Sequence, residues 1–399
     1  MRIIAIKLVI AFFTIPCYGQ EWMDVSTTHL PEIVRNNNNT MDTEFADIDG
    51  DGDLDMVMAI EFYKNVILIN NGKGYFSDGS DLLPNKEESI DPKPYRYFPY
   101  HDSEDVAIAD FDKDGLIEIL IVTEDDETNE YYEINPQGQF DDLSDRLPGK
   151  GVTNGIIAAD FDNDGWIDVV LANNGQNFFW SNQEGKLIDT TKDRLPQSKD
   201  VTQDLEAGDY DGDGDLDILI GNESENKLLE NNGSGIFTDV SKNVFTTGIS
   251  EETREADFGD VDGDGDLDIY FANVAFFTES QPIQRLLIQE GGKFIDVSDT
   301  KLSLMATGGT VDGDFVDIDG DGDLDLLCGN GTLRGTENGF TIALNDGHGK
   351  FEDNTDNFIA SGIKSLVIDV EVADLNGDGR PDIYLSCFRA PDRLYLSTQ

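Results

Sequence analysis

One nine-residue pattern, D-x-[DN]-x-D-G-x-x-[DE], recurs seven times in this 399-residue chain. It reads "DIDGDGDLD" from Asp47, "DFDKDGLIE" from Asp110, "DFDNDGWID" from Asp160 and "DYDGDGDLD" from Asp209. It continues with "DVDGDGDLD" from Asp260, "DIDGDGDLD" from Asp317 and "DLNGDGRPD" from Asp374. Acidic side chains on alternate positions repel one another unless a cation lies between them. Positions 1, 3 and 5 turn carboxylates inward from a tight turn, position 7 offers a backbone carbonyl and position 9 a further carboxylate. Such an all-oxygen shell suits Ca2+. Position 6 must turn sharply and is glycine in every copy: Gly52, Gly115, Gly165, Gly214, Gly265, Gly322 and Gly379.

The expected ligand sets are Asp47, Asp49, Asp51, Asp53 and Asp55; Asp110, Asp112, Asp114, Leu116 and Glu118; Asp160, Asp162, Asp164, Trp166 and Asp168; Asp209, Asp211, Asp213, Asp215 and Asp217; Asp260, Asp262, Asp264, Asp266 and Asp268; Asp317, Asp319, Asp321, Asp323 and Asp325; and Asp374, Asn376, Asp378, Arg380 and Asp382. Up to seven calcium ions follow. Asn376 still offers an oxygen, and Arg380 at position 7 is needed only for its carbonyl. An EF-hand loop shares D-x-D-x-D-G, but it ends on a carboxylate at position 12 and runs into a helix. Here the last carboxylate falls at position 9 and strand-like residues follow. Mg2+ demands a near-octahedral shell and keeps its waters, so it fits less well.

Something must hold these loops in place. They start 63, 50, 49, 51, 57 and 57 residues apart. An apolar run precedes each, as in "GIIAADFD", and another follows, as in "LDILIGN". A third run and a Gly-containing turn lead to a fourth of the type "GIFTDVS" or "GKFIDVS". Runs of four to eight residues rich in Ile, Val, Leu and Phe, bounded by Asn, Asp and Gly, are strands. Four strands per repeat of about fifty residues predict an all-β, seven-bladed β-propeller with four-stranded blades. The last repeat ends one strand short, while "WMDVS" from Trp22 matches "FTDVS" from Phe237. The N-terminal segment is therefore expected to supply the outer strand of the last blade, which removes open edges.

With loops, strands and turns such as "NNGSGIF" and "NDGHGKF" in place, the chain resembles FG-GAP/VCBS repeat proteins over residues 20–399. Those repeats form the blades of the integrin α-subunit head and of many exported bacterial proteins. The resemblance implies a single propeller with Ca2+ between first and second strands. It leaves the ligand open among adhesins, lectin-like proteins and accessory domains of polysaccharide-degrading enzymes.

Composition narrows the partners. With 82 acidic against 27 basic residues, the formal charge is -55, which disfavours nucleic acid and anionic membranes. "MRIIAIKLVIAFFTIPCYGQ" has a basic start, an apolar run and small residues at Cys17 and Gly19, the pattern of a signal peptide over residues 1–19. The expected destination is the cell surface, periplasm or medium, and no other segment is long enough to span a bilayer. Cys328 and Cys387 are expected as buried thiols, because two cysteines make no disulfide framework.

Loops at the end opposite the acidic turns carry the irregular insertions, where recognition usually lives. Tyr95, Arg96, Tyr97, Tyr100 and His101 fall in the longest, and Arg285, Arg334, Arg389 and Arg393 in those of three successive blades. Aromatic rings with guanidinium groups suit sugar rings or acidic peptides. No catalytic residue is assigned. The expectation is a monomeric binding or adhesion module for a glycan or an extracellular protein. The alternative is a polysaccharide lyase or hydrolase working through the same loops.

Overall fold

Each acidic loop turns one strand back along the next. Asn38–Ala46 runs into the first loop and Asp55–Ile60 leaves it, followed by Val66–Asn70 and Phe76–Asp78. The structure, a computed structural model, describes residues 21–36, 38–84, 100–124, 129–246, 250–276, 282–302, 309–332, 338–359 and 362–398. Its strands are antiparallel to their neighbours throughout the repeat, and the architecture is all-β. Three sheets have four strands and two have eight. Each larger sheet is two four-stranded meanders joined by a short pairing, Asn39↔Phe388 in one and Asn174↔Val201 in the other.

The second strand of each meander is buried on both faces, which explains unbroken apolar runs such as Glu118–Thr123 and Asp217–Asn222. The meanders stack face to face. One core cluster joins Phe161 and Phe179 of the third to Leu205, Ile218 and Phe237 of the fourth. Phe161 meets Phe179 and Phe237 edge-on at 5.8 Å between ring centroids. A cluster of the same kind packs Tyr384 and Leu394 of the last meander on Met56, Met58 and Leu68 of the first.

The fourth strands are shorter than the sequence suggests. In the fourth meander, Phe237–Asp239 ends at a single helical turn, Ser241–Val244. Asp239 Oδ1 causes the switch: it accepts from the Ser241 N–H at 3.1 Å and hydroxyl at 2.6 Å, as an Asx turn does. The Ser241 hydroxyl oxygen in turn accepts the Leu228 N–H of the third strand at 3.0 Å. The N-terminal segment reproduces this set. Asp24 Oδ1 accepts from the Ser26 N–H and hydroxyl, and Ser26 Oγ accepts the Leu394 N–H at 2.9 Å. Glu21–Asp24 pairs with the last strand from Glu21↔Thr398 to Asp24↔Tyr395. Cys328 and Cys387 are buried, free thiols on different meanders. Among the described residues, no helix is long and apolar enough to cross a membrane.

Candidate metal centres

The acidic loops fold around the carboxylate at position 1. Asp47 Oδ1 accepts the Gly50 N–H at 2.8 Å and Oδ2 the Gly52 N–H at 3.1 Å. Asp317 and Asp374 do the same with Gly320 and Gly322, and with Gly377 and Gly379. In the first loop positions 3 and 5 each accept an N–H two residues on, Asp49 from Asp51 and Asp51 from Asp53. Position 6 is left-handed in every copy, with φ from 83° at Gly379 to 101° at Gly322. Lys113 and Asn163 adopt φ 61° and 58° at position 4, where other copies use glycine.

Position 9 does more than face the cage. Asp325 is buried; its Oδ2 accepts the Ile318 N–H at 3.2 Å and its Oδ1 the Asn345 N–H at 2.8 Å. Asp55, Asp217, Asp268 and Asp382 make the same pair of bonds. This carboxylate thus ties the loop to the third strand of its own sheet. Burial, opposed by these hydrogen bonds and reinforced by the neighbouring carboxylates, pushes Asp325 up to about 8 and Asp55 up to about 6.

Several oxygens have no partner. Asp110 Oδ1 and Glu118 Oε1 in the second loop, Asp162 Oδ1 and Asp168 Oδ2 in the third, and Asp262 Oδ1 in the fifth are buried without a hydrogen bond. In the second loop one oxygen from each of Asp110, Asp112, Asp114 and Glu118 lies within 4.8 Å of the others, and Asp47, Asp49 and Asp55 group likewise. Buried anionic oxygens without donors are costly unless a cation meets them. An all-carboxylate donor set fits a hard divalent ion.

The position-7 side chains point elsewhere. An ideal Cβ on Gly72, Gly233 or Gly347 would lie 2.3–2.4 Å from an oxygen of Asp53, Asp215 or Asp323 respectively. Each carboxylate therefore packs against the turn between third and fourth strands, and that turn must be glycine. Gly347 is also at φ 73°, so Gly347→Ala should cost about 2–3 kcal/mol in thermal or urea unfolding. The last loop is partly compensated from within. Asn376 Nδ2 donates to both Asp382 oxygens at 3.2 and 3.0 Å, and Arg380 Nη2 bonds Asp378 Oδ2 at 2.5 Å. In the third loop Arg194 Nη2 bonds Asp162 Oδ2 at 2.8 Å.

Loops are also wired to the next sheet, a feature that sequence reasoning missed. Asn182 Nδ2 donates to Phe111 O, Asn231 Nδ2 to Phe161 O and Asn345 Nδ2 to Val261 O, at 2.7–2.8 Å. Gln289 and Asn70 do the same towards Tyr210 O and Leu375 O. Each acceptor is position 2 of the preceding loop. The signal was an amide residue closing the third apolar run, as in "KLLENN" and "TIALND".

At the opposite end, Tyr95, Arg96, Tyr97 and Arg334 lie outside the described residues, as does the leader. Tyr100 is half-buried on a bend. His101 is buried with Nε2 3.9 Å from Glu130 Oε1, and Glu130 Oε2 accepts from Tyr132 Oη and Asn65 Nδ2. Arg285 is held between Glu251 and Asp296, and Arg393 lies 3.3 Å from Asp24. Arg389 instead lies over the Phe388 ring at 4.7 Å. The structure therefore gathers His101 and Arg389 around Glu61 and Phe62, and leaves Arg285 and Arg393 in local ion pairs.

A family profile described as FG-GAP-like repeat matches residues 47–121, 110–171, 160–220, 209–271 and 330–385. Among solved structures, the chain is similar to BBS1N in its complex with ARL6DN soaked with mercury. The TM-score is 0.56 at 9% identity, over 96% of this chain and 98% of that one. The same complex soaked with lead gives 0.52 at 10% identity, over 94% and 96%. A lectin of Agrocybe aegerita that recognises non-reducing terminal N-acetylglucosamine gives 0.48 at 17% identity, over 90% and 85%. No curated protein matches the chain. At these identities the likeness to the two BBS1N complexes is one of fold alone, and with the repeat profile it supports a β-propeller.

Proposed function

This chain belongs to the FG-GAP-like repeat family, and from that premise we propose that it is an exported, calcium-loaded propeller that binds a glycan or an extracellular protein. In this reading residues 20–399 form one ring of seven four-stranded blades, closed by the N-terminal strand, and residues 1–19 are removed on export. It acts as a monomer. The carrying observation is the set of buried carboxylate oxygens left without donors, Asp110 Oδ1, Glu118 Oε1, Asp162 Oδ1, Asp168 Oδ2 and Asp262 Oδ1.

Calcium would supply the positive charge and coordination that these oxygens lack. Positions 1, 3, 5 and 9 would hold it by carboxylate and position 7 by its carbonyl. The chain's own part is to aim those groups. Position-1 carboxylates curl the loop, position 9 fixes it to the third strand, and the amides of Asn182, Asn231 and Asn345 pass that order to the next blade. The scaffold so stiffened carries the opposite loops as a recognition surface, where rigidity lowers the entropy lost on binding.

The expected result is saturable retention of the calcium-loaded protein on a glycan or protein ligand without released products, measured by affinity electrophoresis alongside reducing-end and unsaturated-product assays. Product release would overturn the binding reading in favour of an enzyme.

A further inference from the structure

Two acidic loops share a bridge to the next meander. A single helical turn follows the fourth strand of several meanders, and its last residue is Arg194 after the third, Val244 after the fourth, Lys301 after the fifth and Phe358 after the sixth. Arg194 Nη2 holds Asp162 Oδ2, at position 3 of its own loop, at 2.8 Å. Its Nη1 donates to Ser234 O, in the turn between third and fourth strands of the next meander. Lys301 repeats this two meanders on. Its Nζ donates to His348 O in the matching turn at 2.6 Å. Burial and Asp264 push the Asp262 carboxyl, at position 3 of the fifth loop, above the ordinary value, and the Lys301 charge opposes them. On these same two carboxylates, Asp162 Oδ1 and Asp262 Oδ1 are buried without a hydrogen bond.

The turns they reach lie against the following loop. Gly233 packs against Asp215 and Gly347 against Asp323, each at position 7, the residue whose carbonyl is expected to meet the ion. The first of these turns is stiff, because Asn231 Oδ1 accepts the Gly233 and Gly235 N–H groups at 3.2 and 3.0 Å. The Asn231 N–H in turn bonds Asp217 Oδ1, at position 9 of the same loop. The third and fourth loops have a second link. Asn163, at position 4 with φ 58°, donates from Nδ2 to Asp215 Oδ1 at 3.0 Å. Five copies place glycine at position 4, so here a left-handed asparagine is kept with a side chain that reaches the next loop.

We propose that calcium binds cooperatively within two pairs of loops, the third with the fourth and the fifth with the sixth, and that Arg194 and Lys301 are the positioning residues that couple each pair. The inference rests on the calcium reading above. An ion in the third loop fixes Asp162 through its unpartnered oxygen, and the other oxygen fixes Arg194. Arg194 holds the turn at Ser234, and that turn sets Asp215, a ligand residue of the fourth loop. Partners behind a ligand tune the affinity of its site, and contiguous contacts of this kind carry coupling. The effect is reciprocal, so an ion in the fourth loop strengthens binding in the third. The pairs stay separate because Val244 and Phe358 offer neither charge nor side-chain donor at the next boundaries.

The test titrates the whole protein with terbium as the calcium probe. Trp166 stands at position 7 of the third loop, so the luminescence that Trp166→Phe abolishes reports that loop. Asp213→Asn, in the fourth loop, keeps the acceptor for the Asp215 N–H and removes a ligand charge. It should weaken terbium binding at the third loop about fivefold or more. With Arg194→Gln and Asn163→Gly also present, the same change should weaken it less than about twofold, and Arg194→Lys in place of Arg194→Gln should restore part of the difference. Glycine accepts the left-handed φ at 163. Asp264→Asn, in the fifth loop, should leave the third within about twofold, since Val244 stands at that boundary. Matching circular dichroism shows that each variant folds. A fivefold loss that persists without Arg194 and Asn163 overturns their role. No loss on Asp213→Asn alone overturns the cooperativity while the calcium reading stands, and no terbium signal from the third loop overturns both.

Discussion

Chelation should lower the melting temperature by about 20 °C, and added calcium but not magnesium should restore it. If each loop works at about ten times its dissociation constant, linkage contributes about 1.4 kcal/mol per ion, so seven ions contribute on the order of 10 kcal/mol. That equals the whole stability of an ordinary domain. The direction of the pH effect sharpens the test. Without metal, Asp168, Asp217, Asp268 and Asp382 are pushed up to about 7, and Glu118 and Asp325 to about 8. These folded values exceed the unfolded ones, so the folded state holds the proton more tightly. Their favourable contribution is complete below about pH 4 and is lost as pH rises through 6 to 8. The metal-free protein should therefore melt higher at pH 5 than at pH 8. With calcium the order should reverse, because protons compete with the ion for the same oxygens. Parallel pH profiles with and without calcium would remove metal from the loops.

The sequence carried the loops because their chemistry is local. A carboxylate at position 1 can only curl a loop whose position 6 takes positive φ, and seven glycines announce that. The pairing of Glu21–Asp24 with the last strand was also visible, since "WMDVS" repeats a short Asp–Ser hydrogen-bond set found in other meanders. What stayed hidden depends on neighbours distant in sequence. Nothing local indicates that Asn231 reaches Phe161 O or that Asn345 reaches Val261 O, 70 and 84 residues away. Arg285 looked like a recognition residue because Glu251 lies 34 positions off and Asp296 on another strand. The strain at Phe62 and Arg389 was equally hidden, as neither type is chosen for left-handed backbone.

Asp325→Ala should be the most damaging single change in an acidic loop, at about 3–5 kcal/mol, and the loss should persist in chelator. Its carboxylate satisfies two backbone N–H groups, Ile318 in the loop and Asn345 on the third strand. Truncation leaves both buried and unpaired, at about 1–3 kcal/mol each, and opens a gap beneath them. The effect should spread, because Asn345 also donates to Val261 O and Leu324 O. Asp319 at position 3 gives the opposite signature. Burial and the nearby Asp321 raise its carboxyl above the ordinary value, while in the fold it accepts the Asp321 N–H at 3.1 Å. Asp319→Asn keeps that acceptor and removes a repelling charge, so it should stabilise the metal-free protein by about 0.5–1 kcal/mol and weaken calcium binding about tenfold or more. Differential scanning calorimetry of both variants, with calcium and with chelator, reads all four outcomes. Loss of stability by Asp319→Asn in chelator would mean that repulsion does not govern these loops. Tolerance of Asp325→Ala would mean that position 9 does not anchor them to the sheet.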